Sequence, residues 1–180
     1  MSNANSIADV ILRQNNSVPI TLTSTTSLHQ SFQLGGSAAV LTIPNPQACI
    51  DSQVYFPARS ASAVSFIVRA AGTGGGGGEP WQIDICQGTG LTPVIATTGK
   101  YTGVADNWLL EAVCMWDPTS LYLRGIYYGW VGSTALAQSA LTQVSQPANL
   151  AALQFNVAVT IFNGNPNSSF SLTDFSADME

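Results

Sequence analysis

Leu153, Phe155, Val157, Val159 and Ile161 alternate with Gln154, Asn156, Ala158 and Thr160. A period of two places the two sets on opposite sides of an extended strand. Such a segment predicts an antiparallel strand with one face in a core and one turned to solvent or a partner. The pattern recurs along the chain. Val18, Ile20 and Leu22 alternate with Thr21 and Thr23, and Val40 and Thr42 with Leu41 and Ile43. Val64, Phe66 and Val68 oppose Ser65 and Arg69, and Trp81, Ile83 and Ile85 oppose Gln82 and Asp84, which is expected to point outward. Further strands are expected at 53–56, 93–98, 120–131 and 168–177. Gly35-Gly36, Pro44-Asn45-Pro46, Pro57, Asp117-Pro118 and the run Asn163-Gly164-Asn165-Pro166-Asn167 fall between them, where turn chemistry belongs. Many short strands broken this way predict an all-β fold, an antiparallel β-sandwich or jelly roll.

Four segments carry weaker patterns. Residues 108–116 are almost wholly apolar. Asp106 could cap a helix there, but the flanking strands and the Asp117-Pro118 stop favour a buried strand. Residues 133–144 are rich in Ala, Leu and Gln, which suits a short helix or an ordered loop. Gly72 and the run Gly74–Gly78 read as a flexible hairpin tip between the strands at 64–69 and 81–85, because consecutive glycines form no stable helix or strand. At the N-terminus, residues 1–17 are polar apart from Ile7, Val10, Ile11 and Leu12. Ser6 could cap a helix over 7–13, too short to stand alone. The expected organisation is an extended N-terminal arm, 1–17, that meets a partner through those four residues, followed by a sandwich domain, 18–180.

Charged residues make up 8% of the 180-residue chain and apolar residues 46%, against about 25% charged in an average domain. A surface poor in charge suits a protein whose partners cover part of it. Arg13, Arg59, Arg69, Lys100 and Arg124 are scattered in a chain of net charge −5. They form no basic stripe for nucleic acid and no polybasic patch for a membrane. No apolar run approaches the length of a membrane-spanning helix, and the first residues do not form a secretory signal. Cys49, Cys86 and Cys114 lack metal or redox spacing and read as buried free thiols, in keeping with a reducing compartment.

Reactive constellations are sparse. His29 is the one histidine, and no Gly-x-Ser-x-Gly elbow accompanies it. Zinc spacing is missing, and Asp106, Asn107 and Asp117 are too sparse for a calcium loop. Glu79-Pro80 follows the glycine run where a phosphate loop needs Lys and Ser or Thr. Asp84, Glu111 and Asp117 are the carboxylates that could converge for glycoside chemistry. Asp117 reads as a turn residue, and Glu111 as a subunit or edge contact. No catalytic residue, cofactor or metal is therefore expected. Tyr128 and Trp130 share one strand face and could form a stacking platform for sugars, or could serve packing and interfaces.

The polar N-terminal segment, the stretch Val54-Tyr55-Phe56-Pro57 leading into Ser62-Ala63-Val64-Ser65-Phe66-Ile67-Val68-Arg69, and the ending Phe170-Ser171-Leu172-Thr173-Asp174-Phe175-Ser176 resemble the layout of tailed-phage capsid decoration (cement) proteins of jelly-roll type. The resemblance covers most of the chain in layout. It implies a structural virion protein on the capsid surface, assembled in the host cytoplasm. Its partners would be the major capsid protein and its own copies, in a homotrimer bridging capsomers through the arm. A carbohydrate-binding β-sandwich module, as in a phage receptor-binding apparatus, is the alternative, with Tyr128 and Trp130 as its platform.

Overall fold

Phe66, Val68 and Ala70 are fully buried while Ser65, Ile67 and Arg69 between them are half-buried, so the alternation read in the sequence is realised as strand. The computed structural model describes residues 10–24, 28–31, 41–42, 63–75, 78–88, 92–104, 106–148, 153, 155–162 and 165–179. The expected strand at 53–56, Ile7 and Cys49 lie outside these. No helix occurs among the described residues.

The strands are β1 (Val10–Ser24), β2 (Leu28–Ser31), β3 (Leu41–Thr42), β4 (Val64–Gly75), β5 (Trp81–Gln87), β6 (Val94–Thr97), β7 (Asp106–Trp116), β8 (Tyr122–Val131), β9 (Thr134–Ala135), β10 (Ser139–Ala140), β11 (Val144–Ser145), β12 (Phe155–Ile161) and β13 (Asn165–Met179). One sheet runs β10-β8-β7-β4-β13-β1-β3, with β9 and β11 also on β8. The other runs β2-β12-β5-β6. Every pairing is antiparallel. β1 pairs β13, β2 pairs β12, β4 pairs β7 and β5 pairs β6. First strand with last and second with second-to-last is the winding of a jelly roll, a long hairpin folded over into two layers. β8 is an addition that widens the larger sheet beyond β7.

The core lies between the layers. Phe66, Val68, Trp108, Leu110, Trp116, Phe170 and Phe175 reach in from the larger sheet, and Trp81, Ile83, Ile85, Phe155, Val157 and Val159 include the inward residues of the smaller one. Phe66 meets Phe155 at 5.8 Å between ring centroids, and Trp81 meets Phe170 edge-on at 5.6 Å. Such pairs add to the burial of large rings.

Three local expectations are corrected. Gly72, Gly74 and Gly75 belong to β4, and the run ends a strand of one sheet before β5 begins in the other, so it is a crossover and not a hairpin tip. The bare backbone has a packing reason. A Cβ on Gly72 would stand 1.8 Å from the Ser171 carbonyl oxygen and 2.8 Å from Trp108 Cζ2, and one on Gly74 would stand 2.7 Å from Phe170 Cδ1. Glycine lets both rings lie against the strand. Residues 133–144 make no helix: β9, β10 and then β11 lie along β8, where they meet edge N–H and C=O groups that would otherwise go unpaired. In the N-terminal segment, Val10, Ile11 and Leu12 stand in β1, with Val10 opposite Asp178 and Leu12 opposite Ala177, so strand pairing from Val10 onward replaces a helix over 7–13.

Candidate interaction face

The register of the larger sheet lines up its outward residues in rows. Ala71, Leu109 and Trp130 form one row; Arg69, Glu111 and Tyr128 the next; Ile67, Val113 and Ile126 the third; Ser65, Met115 and Arg124 the fourth. The Arg69–Glu111 row is therefore flanked by two apolar rows, and beyond them lies a mixed row with Ser65 and Arg124. Trp130 is 45% exposed, and Ile126 and Met115 are each 37% exposed. Leu109, Val113, Ile67 and Tyr128 are half-buried.

The polar row holds an ion pair. Arg69 donates from Nε to Glu111 Oε1. The Glu111 side chain is 9% exposed and the Arg69 side chain 38%, so the carboxylate is covered while the guanidinium reaches the surface. Glu111 is thus neither an edge contact nor a lone acid: it sits in β7 between β4 and β8, neutralised within its own chain.

Tyr128 and Trp130 lie two residues apart on this face, roughly 7 Å along the strand. Tyr128 stands beside Glu111 and Trp130 beside Leu109. Tyr127 turns inward and packs against the core.

The three carboxylates of the sequence reading do not converge. Asp84 is 1% exposed and its two oxygens accept from Gln82 Nε2 at 2.8 and 3.0 Å. It is not outward to solvent as expected, because the second face of the smaller sheet is also covered there, with Cys86, Asn156 and Ala158 buried beside it. Glu111 is on the far side of the other sheet, with the core between them. Asp117 follows β7, roughly 20 Å along the chain from Glu111. Its Oδ1 accepts from the Thr119 N–H at 2.9 Å and hydroxyl at 2.7 Å, and these bonds hold the carboxyl below its ordinary range. It is a turn residue, as read from the sequence. Retaining and inverting glycosidases need about 5 to 9.5 Å between two carboxyls, which this arrangement does not provide.

His29 stands in β2 opposite Thr160. Cys86 and Cys114 are buried free thiols, as expected. Burial and the nearby Asp84 push the Cys86 thiol up to about 12, and burial pushes Cys114 up as well. Both are poor nucleophiles, since the thiolate is the reactive form. Among the described residues no group of His, Cys, Asp and Glu could hold a metal ion.

Sequence reasoning singled out Tyr128 and Trp130 but not the apolar surface around them. The signal was present in 108–116. An alternating strand is apolar on one side; here Leu109, Val113 and Met115 are apolar on the second side as well. No protein-family model, curated protein or solved structure matches the chain.

Proposed function

We propose that this chain is a structural protein of a virion, a decoration protein that sits on the outer surface of a tailed-phage capsid and stabilises contacts between major capsid subunits. The observation that carries the reading is the outer face of the larger sheet. Exposed Trp130, Ile126 and Met115 surround an internally neutralised Arg69–Glu111 pair. Contiguous apolar surface of this kind marks a protein contact, and Trp, Tyr and Arg are the residue types that dominate such contacts. The jelly-roll winding is used by viral capsid domains, which supports the reading by analogy of fold. The mechanism is buried area: each attached copy adds interface between neighbouring shell subunits.

The test is co-sedimentation of the purified chain with assembled shells of its major capsid protein. Saturable binding at micromolar concentration and a higher disruption temperature of decorated shells are expected. Shells that bind none of it, and gain no stability from it, overturn the reading.

A second reading has its own observation. Trp130 is at the surface with Tyr128 on the same face beside Arg69 and Glu111, and lectins also use jelly rolls. Binding on a glycan array that disappears in Trp130→Ala would replace the virion role with carbohydrate recognition.

A further inference from the structure

We infer that residues 132–147 form a strap that swings off the edge of β8 as one unit while both sheets stay folded. This lid is built into the fold and does not depend on the proposed assembly role.

Anchorage is the first argument. The strap leaves β8 at Gly132, whose φ of +59° makes the reversal, and the Gly132 N–H donates to the Asn107 carbonyl at 2.7 Å. At the other end the Pro147 carbonyl accepts from Trp116 Nε1 at 3.0 Å. Asn107 and Trp116 stand at opposite ends of β7. The strap is thus pinned at two points about 30 Å apart, the length of that strand.

The hold between the pins is the second. β9, β10 and β11 are two residues each. Leu136 donates to Gly129, Leu141 to Gly125 and Gln146 to Leu121, and Thr142 donates to Ile95 of β6, which ties the strap to the smaller sheet. By contrast, β4 and β7 pair without a break from Val64 to Gly74. Within 133–146, Leu141 and Val144 alone are buried; Leu136, Ser139 and Gln146 are half-buried and the rest are exposed. A segment with short ladders and few buried apolar side chains opens at far lower free energy than core strands do.

Unpaired acceptors are the third. Among the described residues, Gln87 Oε1 and Gln146 Oε1 are buried and accept no hydrogen bond from the protein. Both belong to the seat of the strap. Gln87 Nε2 donates to the Ser145 carbonyl at 2.9 Å, and Gln146 Nε2 donates to the Asp117 and Ser120 carbonyls. A buried acceptor without a donor has lost its hydration for nothing, and this cost falls on the closed form alone. Opening returns water to both oxygens. It also bares the edge of β8, a template for strand pairing, and the core places of Leu141 and Val144. The closed strap is therefore the guard of that edge, and a guard held lightly.

Native-state hydrogen exchange of the full chain, resolved by residue with NMR at rising urea below the unfolding transition, tests the inference. The N–H groups of Leu136, Leu141, Thr142 and Gln146 should share one opening. They should exchange at least about 100-fold faster than the paired N–H groups of β4 and β7, with a much weaker dependence on urea, because little surface is exposed. Leu141→Ala should speed exchange of the strap about 30-fold, the scale of truncating a buried leucine, and leave that weak urea dependence unchanged. If the variant fails to fold, the native chain still decides. Strap groups that exchange in step with β4 and β7 at the same urea dependence would show that the strap opens only when the whole domain unfolds, and would overturn the inference. Strap groups that open one by one at unrelated rates would overturn it too, as fraying in place of a lid.

Discussion

The two sheets turn one face each to the shared core, and differ in what they do with the other. The outward side of the smaller sheet is closed, and it buries a carboxylate, a thiol and an amide in Asp84, Cys86 and Asn156. On the larger sheet the outward side leaves a tryptophan, an isoleucine and a methionine at the surface. Polarity alone would have sorted these residues the opposite way. What decides is satisfaction and coverage. Asp84 is tolerated inside because Gln82 donates to both of its oxygens, and Asn156 because its amide donates to the Gly88 carbonyl at 2.7 Å. Trp130 remains 45% exposed on the outward side of its sheet.

The largest expected difference between the faces is in folding stability. Asp84→Ala should cost about 3 kcal/mol in urea unfolding, because the half-buried Gln82 amide loses its acceptor and the site of a buried carboxylate is emptied; Asp84→Asn, which keeps an oxygen, should cost less. A loss in Asp84→Ala no greater than that of a surface substitution, below about 0.5 kcal/mol, would mean that the smaller sheet is not closed as described.

A smaller effect is expected at the Arg69–Glu111 row of the open face. Arg69→Ala leaves Glu111 covered and without the guanidinium Nε donor, at about 1.5 kcal/mol, discounted from the cost of a fully buried pair because Arg69 is partly exposed. The double variant Arg69→Met/Glu111→Leu should recover most of that loss, since apolar side chains of similar size remove both charges together. A double variant as unstable as the single one would show that the pair does more than neutralise itself.

A third effect is on the closed face and appears only at high pH. The folded Cys86 thiol titrates near 12 against 9.0 for the ordinary value. A raised folded pKa means that the native state holds the proton longer, so stability is fully present below pH 9 and declines as pH rises towards 12. The urea midpoint should fall between pH 9 and 10.5, and Cys86→Ala should flatten that slope. In a Cys49→Ser background, neither Cys86 nor Cys114 should react with a thiol reagent at pH 8 before unfolding. Prompt labelling of either would contradict their burial.

Several elements were legible in advance because their signal is local. The alternations at 64–68, 81–85 and 155–161 became β4, β5 and β12, and the apolar 108–116 became β7. Tyr128 and Trp130 were correctly placed on one strand face. Asp84 was misread because alternation tells which side of a strand a residue takes, not whether that side is covered. The glycines of β4 were misread because their reason, the Ser171 carbonyl and the rings of Trp108 and Phe170, lies far away in sequence. Residues 133–144 were open between helix and loop because the edge of β8, which recruits them, is a tertiary object.

By itself the sequence determined that this chain is made of strands, where most of them run, and that its surface holds little charge, since periodicity and composition act through neighbours and totals. The tertiary structure decided the rest. It wound first strand against last, added β8 beside β7, closed one outer face over Asp84 and left the other open around Arg69 and Glu111. Those outcomes depend on which distant strands pair and in what register, and one residue of slip would exchange every inward side chain for an outward one.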